Sequence, residues 1–249
     1  MNADFDGKAV LVTGASGGIG RAVCLELARR GASVAMAGRN RPALEATLTQ
    51  MGGTGHLIIC GDLCDFPRLP ELVDQLMEWR GRVDALAHCA GVAGRTRLRD
   101  TTPEFLSALM NINCFAFVEL LRQLVRRKKK PDLFQTVALS SLAALGHDRY
   151  LTAYAASKGA LEAAAKTLAV ELLPRNVRIN LVRCAFVDTP MATGGDAYGD
   201  FAEQLKESGY QPLGLIPPVV VAGMVAQLLG PAGAYCTGQI ITINAGAPE

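Results

Sequence analysis

Apolar and polar positions along the 249-residue chain switch between two periods. Short, almost wholly apolar runs at 8–12, 33–37, 56–60, 83–88, 134–139, 177–182 and 239–243 read as strands buried on both faces. Between them, at 20–30, 41–51, 67–79, 103–130, 152–173 and 218–229, apolar residues recur at helical spacing. Strand-helix alternation of this kind forces parallel pairing through right-handed crossovers. The pattern therefore predicts an α/β fold, a doubly wound seven-stranded parallel sheet with helices on both faces, in a single domain over residues 1–249. No repeat, low-complexity tract or linker interrupts it.

Composition narrows the function classes. At 26.3 kDa, folding hides roughly 70 to 75% of the extended chain's surface, enough for one sizeable core without staples. A net charge of +2 gives no electrostatic reason to bind nucleic acid or an anionic membrane. The cysteines at 24, 60, 64, 89, 114, 184 and 236 are odd in number and lie mostly inside apolar runs, as buried free thiols do in a reducing compartment. Cys60 and Cys64 could form half of a metal site, but no histidine or second cysteine pair completes it, so no metal is expected. The first residues are acidic and lack an apolar secretory core, and the apolar stretch near 219–229 is too short to span a bilayer. A cytoplasmic location is the resulting expectation.

Two stretches carry chemistry. After the first strand, Gly14-x-x-x-Gly18-x-Gly20 opens a helix, an arrangement that lets backbone approach a pyrophosphate at the helix's positive end; a tight packing turn is the plainer reading. At the end of the fifth strand stand Ser140 and Ser141, and the alanine-rich helix after them carries Tyr154 and Lys158 one turn apart on one face. An ammonium at roughly 4 Å, in an effective dielectric of about 20, favours a phenolate by up to about 4 kcal/mol. The spacing thus predicts a Tyr154 pKa lowered by roughly 3 units, with Ser141 able to hydrogen-bond a substrate oxygen. Ser140 should face the other side of the strand.

These pieces, with Asp62-Leu63, Ala90-Gly91, Asn113, Asn180, Val187-Asp188-Thr189 and Thr237-Gly238-Gln239 in order, resemble the short-chain dehydrogenase/reductase family over essentially the whole chain. The resemblance implies a Rossmann fold and a hydride-transferring enzyme with a nicotinamide cofactor. Gly14, Ser16, Gly18, Ile19, Gly20, Ala90, Gly91, Val187 and Thr189, together with Tyr154 and Lys158, would hold that cofactor, and Asp62 and Leu63 would frame its adenine. Because the second strand ends in Met36-Ala-Gly-Arg39-Asn-Arg41 with no carboxylate, Arg39, helped by Ser16 or Arg41, suits a 2′-phosphate and hence NADP(H); both arginines otherwise solvate a helix start. In the implied mechanism Tyr154 protonates a carbonyl oxygen polarised by Ser141, and Lys158 tunes Tyr154 and bonds the nicotinamide ribose. Asn113, rather than Asn111, would hold a water on the proton relay. Two departures stand out: Cys89 where the family has Asn, and Cys184-Ala185 where it has Pro-Gly.

Among family members, 3-oxoacyl-acyl carrier protein reductases are the nearest in feel, through Pro212-Leu-Gly214 and Tyr235-x-Thr237-Gly238. That resemblance implies a small ketone or acyl-thioester substrate, a carrier-protein partner docked on basic residues such as Arg175 and the 126–130 run, and a homotetramer built on the helices at 105–124 and 152–173. Cations at helix ends also serve the helix dipole alone. His147, Asp148 and Arg149 border the cleft, and 191–211 is the expected substrate lid. A nucleotide-binding regulator that has lost turnover is the competing reading.

Overall fold

The computed structural model of the chain describes residues 4–127, 131–146, 148–193 and 201–248. Its centre is one parallel sheet in the order β3-β2-β1-β4-β5-β6-β7. The strands are β1 (Ala9–Thr13), β2 (Ser33–Gly38), β3 (Leu57–Cys60), β4 (Ala85–His88), β5 (Phe134–Ser141), β6 (Val177–Cys184) and β7 (Ile240–Ile243). Period-two alternation sends successive side chains to opposite faces. Leu11, Ala35, Leu86, Ala138 and Leu181 enter one core, and Val10, Val12, Met36, Ala87 and Val182 enter the other.

The first core is closed by α3 (Leu69–Arg80), the helical run Pro103–Val125 and α6 (Thr152–Glu171); the second by α1 (Gly18–Arg29), α2 (Arg41–Gln50) and α9 (Pro218–Leu229). Local chemistry sets several helix starts. Asn40 accepts from the Ala43 amide at 3.0 Å to cap α2, and Thr102 accepts from Phe105 at 3.2 Å ahead of Pro103. Each cap contributes about 1 kcal/mol.

The run expected as one helix over 103–130 is instead α4 (Pro103–Met110), a π-helical turn at Asn111–Phe115 and α5 (Ala116–Val125). Among the described residues this run of 23, not the 219–229 stretch, is the one helix long and apolar enough by composition to cross a membrane, with a mean hydropathy of 1.4 over an 18-residue window. Its apolar character has a local cause, since Leu109, Cys114, Phe117, Leu120, Leu121 and Leu124 are buried, all but Leu109 in the first core. β5 and β6 each run two residues past their predicted ends and pair Ser140 with Arg183 and Ser141 with Cys184.

Between β1 and β4 the strand order reverses, and in such sheets a crevice opens beyond the carboxyl ends of the strands at that point. The expected lid takes in α7 (Pro190–Thr193) from its second residue and all of α8 (Phe201–Glu207); its residues 194–200, like His147, lie outside the described residues. Gln211 clasps this segment. Its amide nitrogen donates to Phe186 O at 2.9 Å and Gly214 O at 2.7 Å, and its oxygen accepts from Phe186 N at 3.0 Å.

Candidate active site

Two adjoining cavities occupy the crevice. The first, about 360 Å³, is lined by Gly14, Ser16, Gly18, Ile19, Gly20, Arg39, Asp62, Leu63, Ala90 and Gly91, and by Tyr154, Lys158 and Thr189 at its inner end. Its glycine turn is built for close approach. Gly14 has φ +65°, and a Cβ there would stand 2.8 Å from the backbone of Cys89 and Ala90. Thr13 Oγ1 accepts from Ala90 N at 3.1 Å and bonds His88 Nδ1 at 3.1 Å, tying the turn to the end of β4. Helix α1 starts at Gly18, so its unpaired amides point into the cavity's phosphate end. Arg39 sits beyond the end of β2, whereas Arg41 is turned toward Glu45 at 3.8 Å. Asp62 Oδ1 accepts from the Cys64 amide at 2.9 Å, bracing its own loop. A glycine cradle, a helix start and one cation at the far end fit a phosphorylated dinucleotide.

The second cavity, about 460 Å³, is lined by Ser141, Leu142, Leu151, Cys184, Phe186 and Val187, with Arg95, Asp148 and Tyr210 around it. Val187 belongs to this cavity and not to the first; Arg149 lines neither. Ile19, Ser140, Tyr154, Thr189 and Met191 line both.

At the shared wall, burial dominates the electrostatics. Tyr154 has its pKa raised above the ordinary phenol value, by burial first, with the Ser141 hydrogen bond pulling it back and Cys184 adding to the rise. This is opposite to the lowering that helical spacing predicts. Burial of the phenol is the main cause, and Lys158, which is 4% exposed, donates to Leu139 O at 2.9 Å rather than to the phenol. Burial pulls its own pKa down to about 8, against the smaller raising effects of Cys184, Cys89, Cys114 and Glu162. Both replacement thiols are pushed up to about 12 by burial, so Cys89 and Cys184 act as small neutral residues.

Asn113 is fully buried on the π turn, and Asn111 is not. The side chain of Asn113 accepts from Val92 N and donates to Val92 O and Ser157 Oγ, all at 2.9 Å. Ser157 in turn donates to Tyr154 O at 2.8 Å. Asn113 is thus a brace between the loop after β4 and α6, and its amide donors are spent on that loop and on Ser157. Sequence reasoning overlooked Ser157, which lies directly before Lys158 where no motif marks it, and gave Thr13 no role. Asn180 and Thr237 hold the last strand: Asn180 Oδ1 accepts from Gln239 N at 3.1 Å, and Thr237 Oγ1 from Ile179 N at 3.1 Å.

Two of the basic residues expected at a docking surface have partners within the chain. Arg175 precedes β6 and donates to Val125 O at the end of α5, and Arg127 pairs with Asp74 at 2.8 Å. Both stand at the amino ends of the strands, away from the crevice of the same chain. Lys128, Lys129 and Lys130 lie outside the described residues. Among the described residues no group of three or more His, Cys, Asp or Glu could hold a metal ion.

A family profile described as "Enoyl-(Acyl carrier protein) reductase" matches residues 14–248. The 3-oxoacyl-[acyl-carrier-protein] reductase FabG of Thermotoga maritima is 29% identical, over 97% of this chain and 98% of its own. A tropinone reductase homolog of Arabidopsis thaliana is 31% identical over 96% and 92%. The crystal structure of a short chain dehydrogenase from Burkholderia cenocepacia in complex with NADP superposes with a TM-score of 0.87 at 29% identity, covering 98% of each chain. With the parallel sheet, the glycine cradle and the serine, tyrosine and lysine at one wall, these matches establish that the chain belongs to the short-chain dehydrogenase/reductase family.

Proposed function

We propose that the protein is an NADPH-dependent reductase that converts a ketone, foremost a 3-oxoacyl thioester, to a secondary alcohol. One observation carries the reading: the hydrogen-bonded Ser141 and Tyr154 stand where the two cavities meet, with Lys158 buried behind them. When bound, the cofactor supplies hydride to the carbonyl carbon. The chain supplies the rest. Burial keeps the Tyr154 phenol protonated at neutral pH, so it meets the carbonyl oxygen as an acid. Ser141 Oγ hydrogen-bonds the same oxygen and holds it toward the phenol. The Lys158 ammonium stabilises the phenolate left after proton transfer, and Arg39 would hold the 2′-phosphate of a bound cofactor. Asn113 and Ser157 keep the loop after β4 and the Tyr154 helix in register.

Leu142, Leu151, Phe186, Val187 and Met191 give the second cavity the apolar wall an acyl chain needs, and the likeness to FabG supports a thioester. A carrier protein held by Arg175 would face the amino ends of the strands, so it would reach only the crevice of another copy. Exposed apolar residues on α5's approach and α6, Phe115 and Val170, and near β7, Tyr235, support assembly into a homotetramer. The setting proposed is the cytoplasm.

The test is NADPH consumption against acetoacetyl-CoA, the corresponding carrier-protein thioester and a panel of free ketones, for the protein and for Tyr154→Phe. The expected result is turnover on a thioester, reduced about 10²- to 10⁴-fold in the variant. NADPH binding with no turnover on any ketone, or undiminished turnover in Tyr154→Phe, would overturn the reading.

A further inference from the structure

Behind Ser141, on the side of the sheet that faces α6, a buried ion pair grips the ends of two strands. Ser140 and Arg183 are register partners on β5 and β6. Between them enters Glu162 of α6, one turn after Lys158 and two after Tyr154. Its Oε1 accepts from Ser140 Oγ at 2.7 Å and from Arg183 Nε at 2.9 Å, and its Oε2 accepts from Arg183 Nη2 at 2.7 Å. Ser140 is 6% and Glu162 8% exposed.

Stability alone is a poor reason for this arrangement. Two desolvated ions gain little over apolar side chains of the same volume, and their attraction offsets the desolvation only where geometry is good and the remaining lone pairs are bonded. Both conditions hold here, and the pair's planar two-point contact fixes orientation as well as distance. What it fixes is the separation between the helix carrying Tyr154 and Lys158 and the strand end carrying Ser141. Adjacent strand residues share a backbone, so a carboxylate holding Ser140 from one face sets the height of Ser141 on the other.

We propose that Glu162, oriented by Arg183 and acting through Ser140, is a positioning residue that sets Ser141 against Tyr154. The inference rests on the reading of Ser141 as the group that holds the reacting oxygen. Misplacement of about 1 Å can cost on the order of 10²-fold in rate, and each link is open to substitution.

The test compares kcat, KM for NADPH, cofactor affinity and thermal midpoint for Ser140→Ala, Ser140→Thr, Glu162→Gln and Ser141→Ala, with the ketone the protein turns over. The expected result is a kcat lower by about ten- to a hundredfold in Ser140→Ala and Glu162→Gln, with KM and affinity for NADPH within about threefold and recovery in Ser140→Thr. Should Glu162→Gln fail to fold, Ser140→Ala decides, because it removes one hydrogen bond and leaves the ion pair. An unchanged kcat in Ser140→Ala beside a crippled Ser141→Ala overturns the positioning role alone. Full turnover in Ser141→Ala overturns the reading of Ser141 itself, and the positioning role with it.

Discussion

The Lys158 ammonium lies 5.8 Å from the centroid of the Tyr154 ring, and it donates a 2.9 Å hydrogen bond to the carbonyl of Leu139. Two groups on one helical turn are therefore held by different neighbours: the phenol by Ser141, the amine by the end of β5. Since burial brings Lys158 to about 8, its charge is lost just above neutral pH. Reduction should track that proton. The expected kcat/KM is level below pH about 7 and falls as pH rises through about 8, with one proton lost. A profile that stays flat well beyond that point would show that the Lys158 charge takes no part.

Arg39 is the cation at the far end of the nucleotide cavity. Charge-assisted hydrogen bonds of about 1.5–3 kcal/mol correspond to roughly ten- to a hundredfold in affinity. Arg39→Ala should raise KM for NADPH by that factor and leave KM for NADH nearly unchanged. Equal effects on both cofactors would place Arg39 outside 2′-phosphate recognition.

Gly91 has no room for a side chain. A Cβ there would stand 2.9 Å from Asn113 Oδ1 and 3.3 Å from Lys158 Nζ. Gly91→Ala should displace both, cost about 1–3 kcal/mol of stability and lower kcat more than tenfold. Thermal unfolding and steady-state kinetics on the same sample check it; full activity would mean that the loop yields freely.

His88 is buried beside Phe117, with its ring centroid 5.4 Å away, and its pKa is lowered to about 3, by burial first and by the Lys158 charge second. Its folded value lies below the ordinary 6.5, so between these two values the unfolded chain binds a proton that the folded chain refuses. Stability is thus complete above the unfolded value and drains away as pH falls. His88→Asn removes this liability and keeps a group able to bond Thr13. The variant should lose less stability than the parent on going from pH about 7 to about 4, by on the order of 3 kcal/mol. Identical losses in denaturant titrations at the two pH values would contradict the assignment.

The strands were legible because both faces of each are apolar, as Val10, Leu11 and Val12 show for β1. The ends of β5 and β6 were not. Ser140 and Arg183 look like loop residues, and Glu162, 22 and 21 positions away, is what makes them fit for burial. Spacing placed Tyr154 and Lys158 on one face, but spacing carries no information about dielectric, and burial reversed the direction of the Tyr154 shift. Arg175 and Arg127 read as free surface cations because their partners, Val125 O and Asp74, lie on α5 and α3. The separation from Ser141 favours Asn113 over Asn111 by resemblance alone; the physical ground, a turn wound more widely than an α-helix that carries Asn113 into the interior, is not legible in spacing.

That wider turn has a consequence for how the chain can change. A π turn takes up one residue more than regular winding needs and does so locally. Deleting one position within Asn111–Phe115 would restore regular winding there and leave the faces of α4 and α5 close to their present orientation. Phe117, Leu120 and Leu124 would keep their places in the core, whereas Asn113 would be drawn off the bulge from which it reaches Val92 and Ser157. The brace at the crevice therefore depends on the surplus residue, while the greasy seam of α5 does not.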